Sequence, residues 1–142
     1  MINKLVFLFV FSMILAGCQS RRTIVSLTSP DMQISGAGLR IGDRFIEIPG
    51  DSTNTVRFEL DDVPTGYAVL QFGNSQKMIF VERGKDLTVC FKRTVQPNAS
   101  RYNFEGEGAP ENRYMDRQSR LSMIFMKANS GENEIIQQLN DS

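Results

Sequence analysis

Short alternating runs of apolar and polar residues, separated by turn residues, most limit how this chain can fold. In residues 55–60, the apolar side chains Val56, Phe58 and Leu60 alternate with polar ones, as in a strand with one dry face and one wet face. Similar runs occupy residues 44–48, 67–72, 77–81 and 87–92, with shorter ones at 32–35 and 101–105. Clusters of Gly, Pro, Asn and Asp separate them, so residues 31–108 are predicted to form a small antiparallel β-sandwich.

Two glycine pairs, one after residues 32–35 and one after residues 101–105, are interpreted as turn residues. Residues 32–35 alternate and then meet Gly36-Ala37-Gly38, which predicts a short strand that ends in a turn. Gly106-Glu107-Gly108 is predicted to end the β region in the same way.

Residues 109–142 are predicted to be helical, so the fold class is mainly β with a C-terminal helical segment. Pro110 suits a first helical turn, and apolar residues then recur at three- and four-residue steps: Tyr114, Met115, Leu121, Ile124, Phe125 and Ala128. This spacing predicts an amphipathic helix whose apolar side packs partly on the sheet. Asn129-Ser130-Gly131 is expected to stop it, with a short second helix over residues 132–140. Met115, Met123 and Met126, with Phe125, also suit an adaptable docking face.

The N-terminus resembles the signal of a bacterial lipoprotein. Lys4 precedes an uncharged run, residues 5–16, of secretory length, too short to span a bilayer, which takes about 20 residues. Leu15-Ala16-Gly17-Cys18 then resembles a lipobox. The resemblance implies cleavage of residues 1–17 and attachment of diacylglycerol to Cys18, usually with a palmitate-type acyl chain on its amino group. An ordinary cleaved signal, with Cys18 incidental, is the alternative.

Residues 18–30 are predicted to be a tether between the lipid and the sandwich. This segment is polar and contains Arg21-Arg22, although residues 23–27 alternate enough to be a first strand. We expect the mature chain to be held in the cell envelope by lipid rather than to span the membrane. The outer membrane, facing the periplasm, is the expected location.

Composition excludes several functions. The chain has 16 basic and 16 acidic residues and no histidine, so it has no charge signature of nucleic-acid binding and lacks the usual general base near neutral pH. With Cys18 lipidated, Cys90 is the one remaining thiol and cannot form an internal disulfide. Because Cys90 lies in a strand-like run, it is expected to be buried as a small hydrophobe.

No residue pattern predicts catalysis, a cofactor or a metal site. Asp61-Asp62 and Glu82 lack the spacing of a calcium loop and are interpreted as solvated turns. The two glycine clusters complete neither a dinucleotide nor a phosphate-binding motif. A serine–lysine pair stays open, but no motif marks one. We therefore expect no catalytic, cofactor-binding or metal-binding residues and assign only Cys18, as the lipid attachment site.

The order of the motifs resembles the N-terminal β domain of lipid-anchored TlpA-type thiol–disulfide oxidoreductases. The likeness covers residues 32–128 and is carried mainly by residues 78–89 (MIFVERGKDLTV) and residues 104–114 (FEGEGAPENRY). In that family a thioredoxin-like domain with a CxxC motif follows. This sequence contains no CxxC, so the resemblance transfers no catalytic residue.

Three functional interpretations follow. The first is a non-catalytic module that binds or positions a protein partner at the envelope membrane. The second is a glycan- or small-ligand-binding lipoprotein that uses Tyr67, Tyr102 and phenylalanines on one sheet face. The third is a truncated remnant of a thioredoxin-domain protein. The first is the expected function, and the oligomeric state stays open.

Overall fold

Eight strands and one long helix make up the part of the chain that the structure describes. The structure is a computed structural model and describes residues 22–50, 53–93 and 99–140, with side chains as far as residue 127. The elements are β1 (Thr23–Thr28), β2 (Gly36–Ile41), β3 (Arg44–Pro49), β4 (Thr55–Leu60), β5 (Gly66–Phe72), β6 (Ser75–Val81), β7 (Leu87–Phe91), β8 (Tyr102–Glu105) and α1 (Ala109–Asn140).

The strands form two four-stranded sheets packed as a sandwich. The first sheet has the order β4-β1-β7-β8 and the second the order β3-β2-β5-β6. Neighbouring strands are antiparallel except β1 and β7, which run parallel with Val25 opposite Leu87. The predicted fold class, a mainly β sandwich followed by a C-terminal helical segment, is confirmed.

Period-two alternation builds the core between the sheets. In β4, Val56, Phe58 and Leu60 are buried and the residues between them are exposed, as the sequence predicts. Equivalent rows come from both sheets, and the largest fully buried side chains include Phe58, Phe104, Leu27, Leu39, Leu70 and Ile79. Burying a side chain of this size contributes about 1.5–3 kcal/mol, so this core is the main source of stability.

The predicted tether at residues 18–30 is wrong over its second half. Residues 23–28 form β1, a central strand that pairs with both β4 and β7, so the β domain begins before residue 31. Val25 and Leu27 are fully buried, and the Thr23 hydroxyl accepts a 2.7 Å hydrogen bond from the Gly84 amide. A strand that is paired on both edges and buries one face in the core cannot act as a tether.

The strand predicted at residues 32–35 lies further along the chain, at Gly36–Ile41. Residues 32–35 are irregular, and Gly36-Ala37-Gly38, predicted to be a turn, opens β2. The reason is the neighbouring strand, because the Phe45 ring of β3 packs over Gly38. A Cβ at Gly38 would lie 2.6 Å from that ring, so glycine here makes room for a cross-strand aromatic side chain.

The helix does not stop at Asn129-Ser130-Gly131 but continues to Asn140 as a single element. A glycine inside a helix costs about 1 kcal/mol relative to alanine, which favourable neighbours can offset. Over the residues that the structure describes, no helix is long and apolar enough to cross a membrane.

Candidate functional site

The first turns of α1 cover the open side of the sandwich, between edge strands β6 and β8. Asn112 is buried there. Its side-chain amide donates to the Phe80 carbonyl and accepts from the Phe80 amide, both at 2.8 Å, and it also donates to the Gly108 carbonyl at 2.9 Å. The Asn112 side chain thus makes the two backbone hydrogen bonds that a neighbouring strand would make with β6. It covers this part of the sheet edge, which could otherwise pair with a strand of a second chain.

Arg113 ties the same turn of α1 to the other sheet. Its guanidinium donates two hydrogen bonds, of 2.9 and 2.6 Å, to the Phe104 carbonyl in β8. Adjacent residues of α1 therefore hold one edge of each sheet, which fixes where the helix begins relative to the sandwich.

A carboxylate on the next turn of α1 completes this contact. Asp116 is buried and accepts hydrogen bonds from Lys77 at 2.7 Å and from Ser100 at 2.6 Å, with Arg120 at 3.2 Å. Lys77 points inward from β6, and its ammonium lies 4.5 Å from the centre of the Tyr102 ring. We call Lys77, Ser100, Asn112, Arg113 and Asp116 the polar junction.

Electrostatics stabilise the charged form of Asp116. Burial alone would raise the pKa of its carboxyl, but hydrogen bonds from Lys77 and Ser100 and the charges of Lys77 and Arg120 outweigh that effect and lower the pKa. Burial raises the pKa of the neighbouring Tyr102. The Lys77 ammonium and the Ser100 hydroxyl both donate to this carboxylate, which is not the arrangement of a serine–lysine pair.

Several large apolar residues in the part of α1 with described side chains face solvent. Tyr114, Leu121, Ile124 and Phe125 are about half to two-thirds exposed, and Phe125 is 66% exposed. We call these four residues the apolar stripe. Met123 and Met126 are exposed beside them. Large apolar side chains grouped in this way on a surface are typical of an interaction site.

The prediction that part of the apolar side packs on the sheet is therefore wrong for the four residues of the apolar stripe, whereas Met115 is half-buried. With about 100° of rotation per residue, Asp116 lies about 40° from Asn112 around the helix, whereas Tyr114 and Leu121 lie about 200° and 180° from it. The sandwich takes the polar side because β6 and β8 offer backbone groups and Lys77, not an apolar groove.

A cavity of about 250 Å³ lies beside the polar junction. Lys77, Tyr102, Asp116 and Arg120 line it, together with Met123. The polar groups named here already bond to one another, so they serve to join α1 to the sandwich.

The outer face of the second sheet carries a separate aromatic surface. Tyr67 is 62% exposed and meets the Phe80 ring edge-on at a centroid distance of 5.4 Å. Met78 and Phe45 are also exposed, and Arg40 lies over the Phe45 ring. Tyr102 does not share this face, because it belongs to β8 of the other sheet. The predicted ligand surface therefore does not bring Tyr67 and Tyr102 together.

The other residues singled out in the sequence are distributed as follows. Cys18, the predicted lipid attachment site, lies outside the described residues. Cys90 is a free thiol in β7 but only partly buried, contrary to expectation, because alternation places it on the outer face between buried Val89 and Phe91.

The acidic turn residues form surface ion pairs. Asp61 pairs with Arg22 and Glu82 with Lys85, and Asp62 pairs with Arg83. Among the residues that the structure describes, no group of three metal-ligating side chains of the Cys, Asp or Glu type is close enough to hold an ion.

Sequence reasoning missed the polar junction. Lys77, Ser100 and Asp116 are far apart in the chain and belong to no motif. The available signal was Lys77 itself, an inward position in an otherwise alternating strand that requires a buried partner. In the sequence, Asp116 lies among the charged residues on the side of the helix opposite the apolar one, the side not predicted to meet the sheet.

Comparison with known proteins adds little. No protein-family model matches the chain, and no curated protein matches it significantly. Among solved structures, the N-terminal domain of AlgF from P. aeruginosa is similar with a TM-score of 0.40 and 13% identity, over 63% of this chain and 98% of that one.

Proposed function

We propose that this chain is a lipid-anchored envelope protein that binds and positions a protein partner through the apolar stripe of α1, without catalysing a reaction itself. The observation that carries the proposal is the exposure of Tyr114, Leu121, Ile124 and Phe125 on a helix whose opposite side is fastened to the sandwich. Burying one such side chain in a partner contributes about 1.5–3 kcal/mol, so four would support stable binding.

The polar junction supports this function by holding the helix in place. Hydrogen bonds from Asn112 and Arg113 to the edges of the two sheets limit motion of the first turns, and a preorganised surface loses less entropy when it binds. The lipid on Cys18 would supply the location, and the resemblance to the N-terminal domain of TlpA-type lipoproteins suggests an envelope thiol-redox setting.

Site-specific photo-crosslinking in intact cells tests the partner. A photoreactive amino acid replaces Phe125 in the full chain, and the control replaces Phe45, which is exposed on the second sheet. We expect a discrete crosslinked protein band from position 125 and none of the same size from position 45. Equal labelling at both positions, or none at position 125, would argue against a docking role for α1.

Two further measurements test the lipid anchor on Cys18 and the proposed lack of catalysis. We expect Cys18→Ala to abolish incorporation of labelled palmitate and to release the protein from membranes. We expect the full chain not to accelerate the reduction of insulin by dithiothreitol. Reductase turnover that disappears in Cys90→Ser would contradict the non-catalytic proposal.

A second candidate function is binding of a glycan or another small ligand on the outer face of the second sheet, because Tyr67, Met78 and Phe45 are exposed together there. Tyr67→Ala should then abolish saturable binding of an oligosaccharide. Tyr114→Ala is the matched control, since Tyr114 is equally exposed, at 60% against 62%, but lies on α1.

A further inference from the structure

The chain enters the sandwich close to the residue that carries the proposed lipid. Three residues separate Cys18 from Arg22, and Arg22 directly precedes β1. Consecutive Cα atoms are about 3.8 Å apart, so at most about 15 Å of chain joins Cys18 to Arg22. The start of β1 must therefore stay near the surface of the bilayer that holds the lipid, whichever way the sandwich turns.

Strand ends of both sheets lie beside Arg22, and we call this end of the sandwich the anchor end. The Thr23 hydroxyl accepts a hydrogen bond from the amide of Gly84, in the turn that joins β6 to β7. In the second sheet, Val81 ends β6 and pairs with the first residue of β5. The turn between β2 and β3 lies at the same end, because the last residue of β2 pairs with β5 near its start.

The outer face of the second sheet is aromatic at the anchor end. Tyr67 and Phe45 are exposed there, each next to the first residue of its strand, and the Arg40 guanidinium lies 5.3 Å from the centre of the Phe45 ring. We call Arg40, Phe45 and Tyr67 the aromatic corner. Aromatic rings and arginine suit a membrane interface, because the rings sit at the level of the lipid headgroups and the long arginine stem lets its charge reach them.

The first sheet offers no equivalent surface. In the part of the chain that the structure describes, none of the large apolar side chains that are exposed lies on this sheet. Its outer face carries residues such as Arg57 and Glu59 in β4 and Thr88 in β7. Of the two sheet faces that border the anchor end, the second is therefore the one suited to lipid.

The apolar stripe of α1 lies farther from the anchor. β1 is two strands from β8, about 10 Å at the usual spacing of strands, and α1 contacts β8 with its stripe turned away from the sandwich. Because a helix with its side chains is about 10–12 Å across, the stripe is about 20 Å or more from the start of β1. This distance exceeds the length of chain that joins Cys18 to β1.

The aromatic corner is within reach of the anchor. Phe72 of β5 packs against Phe91 of β7, and α1 bridges β6 and β8, so the two strand orders align and β1 packs opposite β2. Arg40 of β2 is thus separated from the start of β1 mainly by the spacing of packed sheets, about 10 Å. A bilayer in contact with the aromatic corner can hold the Cys18 lipid, whereas one lying along the apolar stripe is too far away.

We infer that the bilayer that holds the Cys18 lipid lies against the aromatic corner, with Tyr67 and Phe45 among the lipid headgroups. The inference rests on the lipid anchor of the proposed function, because tethering makes a weak surface contact intramolecular and so increases its occupancy. It also gives the direction of α1, which begins at the anchor end and runs along β6 from Phe80 towards Lys77. The apolar stripe then faces a partner away from the lipid surface.

Single-tryptophan variants test which surface meets lipid, because the chain has no tryptophan of its own. The full lipidated chain with Tyr67→Trp is reconstituted into vesicles of phosphatidylcholine and phosphatidylglycerol, with or without brominated phosphatidylcholine, which quenches tryptophan on contact. We expect the brominated lipid to lower emission about twofold or more, since interfacial side chains lie about 5–10 Å into the headgroup region. The control, Phe125→Trp on α1, should lose little emission. Equal or stronger quenching in Phe125→Trp would overturn the inference.

Removing a charge tests the same contact in the Tyr67→Trp variant. Arg40→Gln should lower the ratio of quenched to unquenched protein about fivefold in these anionic vesicles, the effect of one basic residue near such a surface. Arg57→Gln is the matched control, because Arg57 is exposed on the outer face of the first sheet, and it should leave the ratio unchanged. Equal effects of the two substitutions, or none from Arg40→Gln, would contradict the inference.

Failure of the inference is distinguishable from failure of the proposed function. If the chain incorporates labelled palmitate and stays with membranes while Tyr67→Trp is not quenched, the inference is overturned and the lipid anchor stands. If no palmitate is incorporated, both are overturned, and docking through α1 is judged separately by photo-crosslinking at position 125. Saturable oligosaccharide binding to the reconstituted chain that Tyr67→Ala abolishes would also overturn the inference, because a glycan and a bilayer cannot cover the same face.

Discussion

The sandwich and α1 distribute polar and apolar side chains in opposite ways. In the sandwich, Phe58 and Phe104 are buried and most charged residues lie outside, whereas in α1 the sandwich covers Asn112 and Asp116 and leaves Phe125 exposed. The sandwich is stabilised by burial of apolar area, and the helix is attached by hydrogen bonds and an ion pair. The difference indicates that the apolar side of α1 is not needed for the fold of one chain and is available for binding.

The sharpest test compares the same substitution in the two regions. We expect Phe58→Ala to lower the free energy of unfolding by about 3–5 kcal/mol, because it leaves a cavity in the core. Phe125→Ala should change it by no more than about 0.5 kcal/mol. Urea unfolding of the full chain at low protein concentration measures both. Equal losses would mean that Phe125 packs within the chain and that the contrast is false.

The next largest effect is expected at the polar junction. Asp116→Ala removes the partner of Lys77, whose side chain is only 18% exposed, and should cost about 3 kcal/mol because a buried charge is left uncompensated. Adding Lys77→Met should recover part of that loss in the same urea unfolding experiment. A double variant less stable than Asp116→Ala would show that Lys77 does not depend on Asp116.

A smaller loss should follow when the cover on β6 is removed. Asn112→Ala leaves the Phe80 amide and carbonyl without their side-chain partner, which should cost about 2 kcal/mol in unfolding free energy. Asn103→Ala is the matched control, because Asn103 is exposed and bonds to Glu105 on the surface. If both substitutions cost the same, the contact between Asn112 and β6 does not fasten the helix.

The smallest effect concerns pH. The pKa of Asp116 is lower in the folded chain than its ordinary value, so its contribution to stability is fully present above the unfolded pKa of about 3.9. It is lost as pH falls through the lower folded pKa. The difference in unfolding free energy between wild type and Asp116→Asn should therefore shrink below pH 4. A difference that stays constant down to pH 2 would contradict this assignment.

Local patterns predicted the strands well where one face is dry and the other wet. β4 occupies the predicted residues, and β3, β5, β6 and β7 differ from prediction by two residues or fewer at their ends. The strand predictions are wrong where an adjacent strand determines the local structure. Gly38 belongs to a strand because Phe45 lies over it, and residues 23–28 form a central strand because β4 and β7 flank them. A single sequence shows neither neighbour.

The sequence by itself determined the sandwich class and the presence of a long amphipathic helix, because alternation and helical spacing are local properties of the chain. Only the tertiary structure decided which side of that helix faces the sandwich. The edges of β6 and β8 present unpaired backbone groups and Lys77, and these must be hydrogen-bonded when buried. They therefore select Asn112, Arg113 and Asp116 and leave the apolar stripe outside.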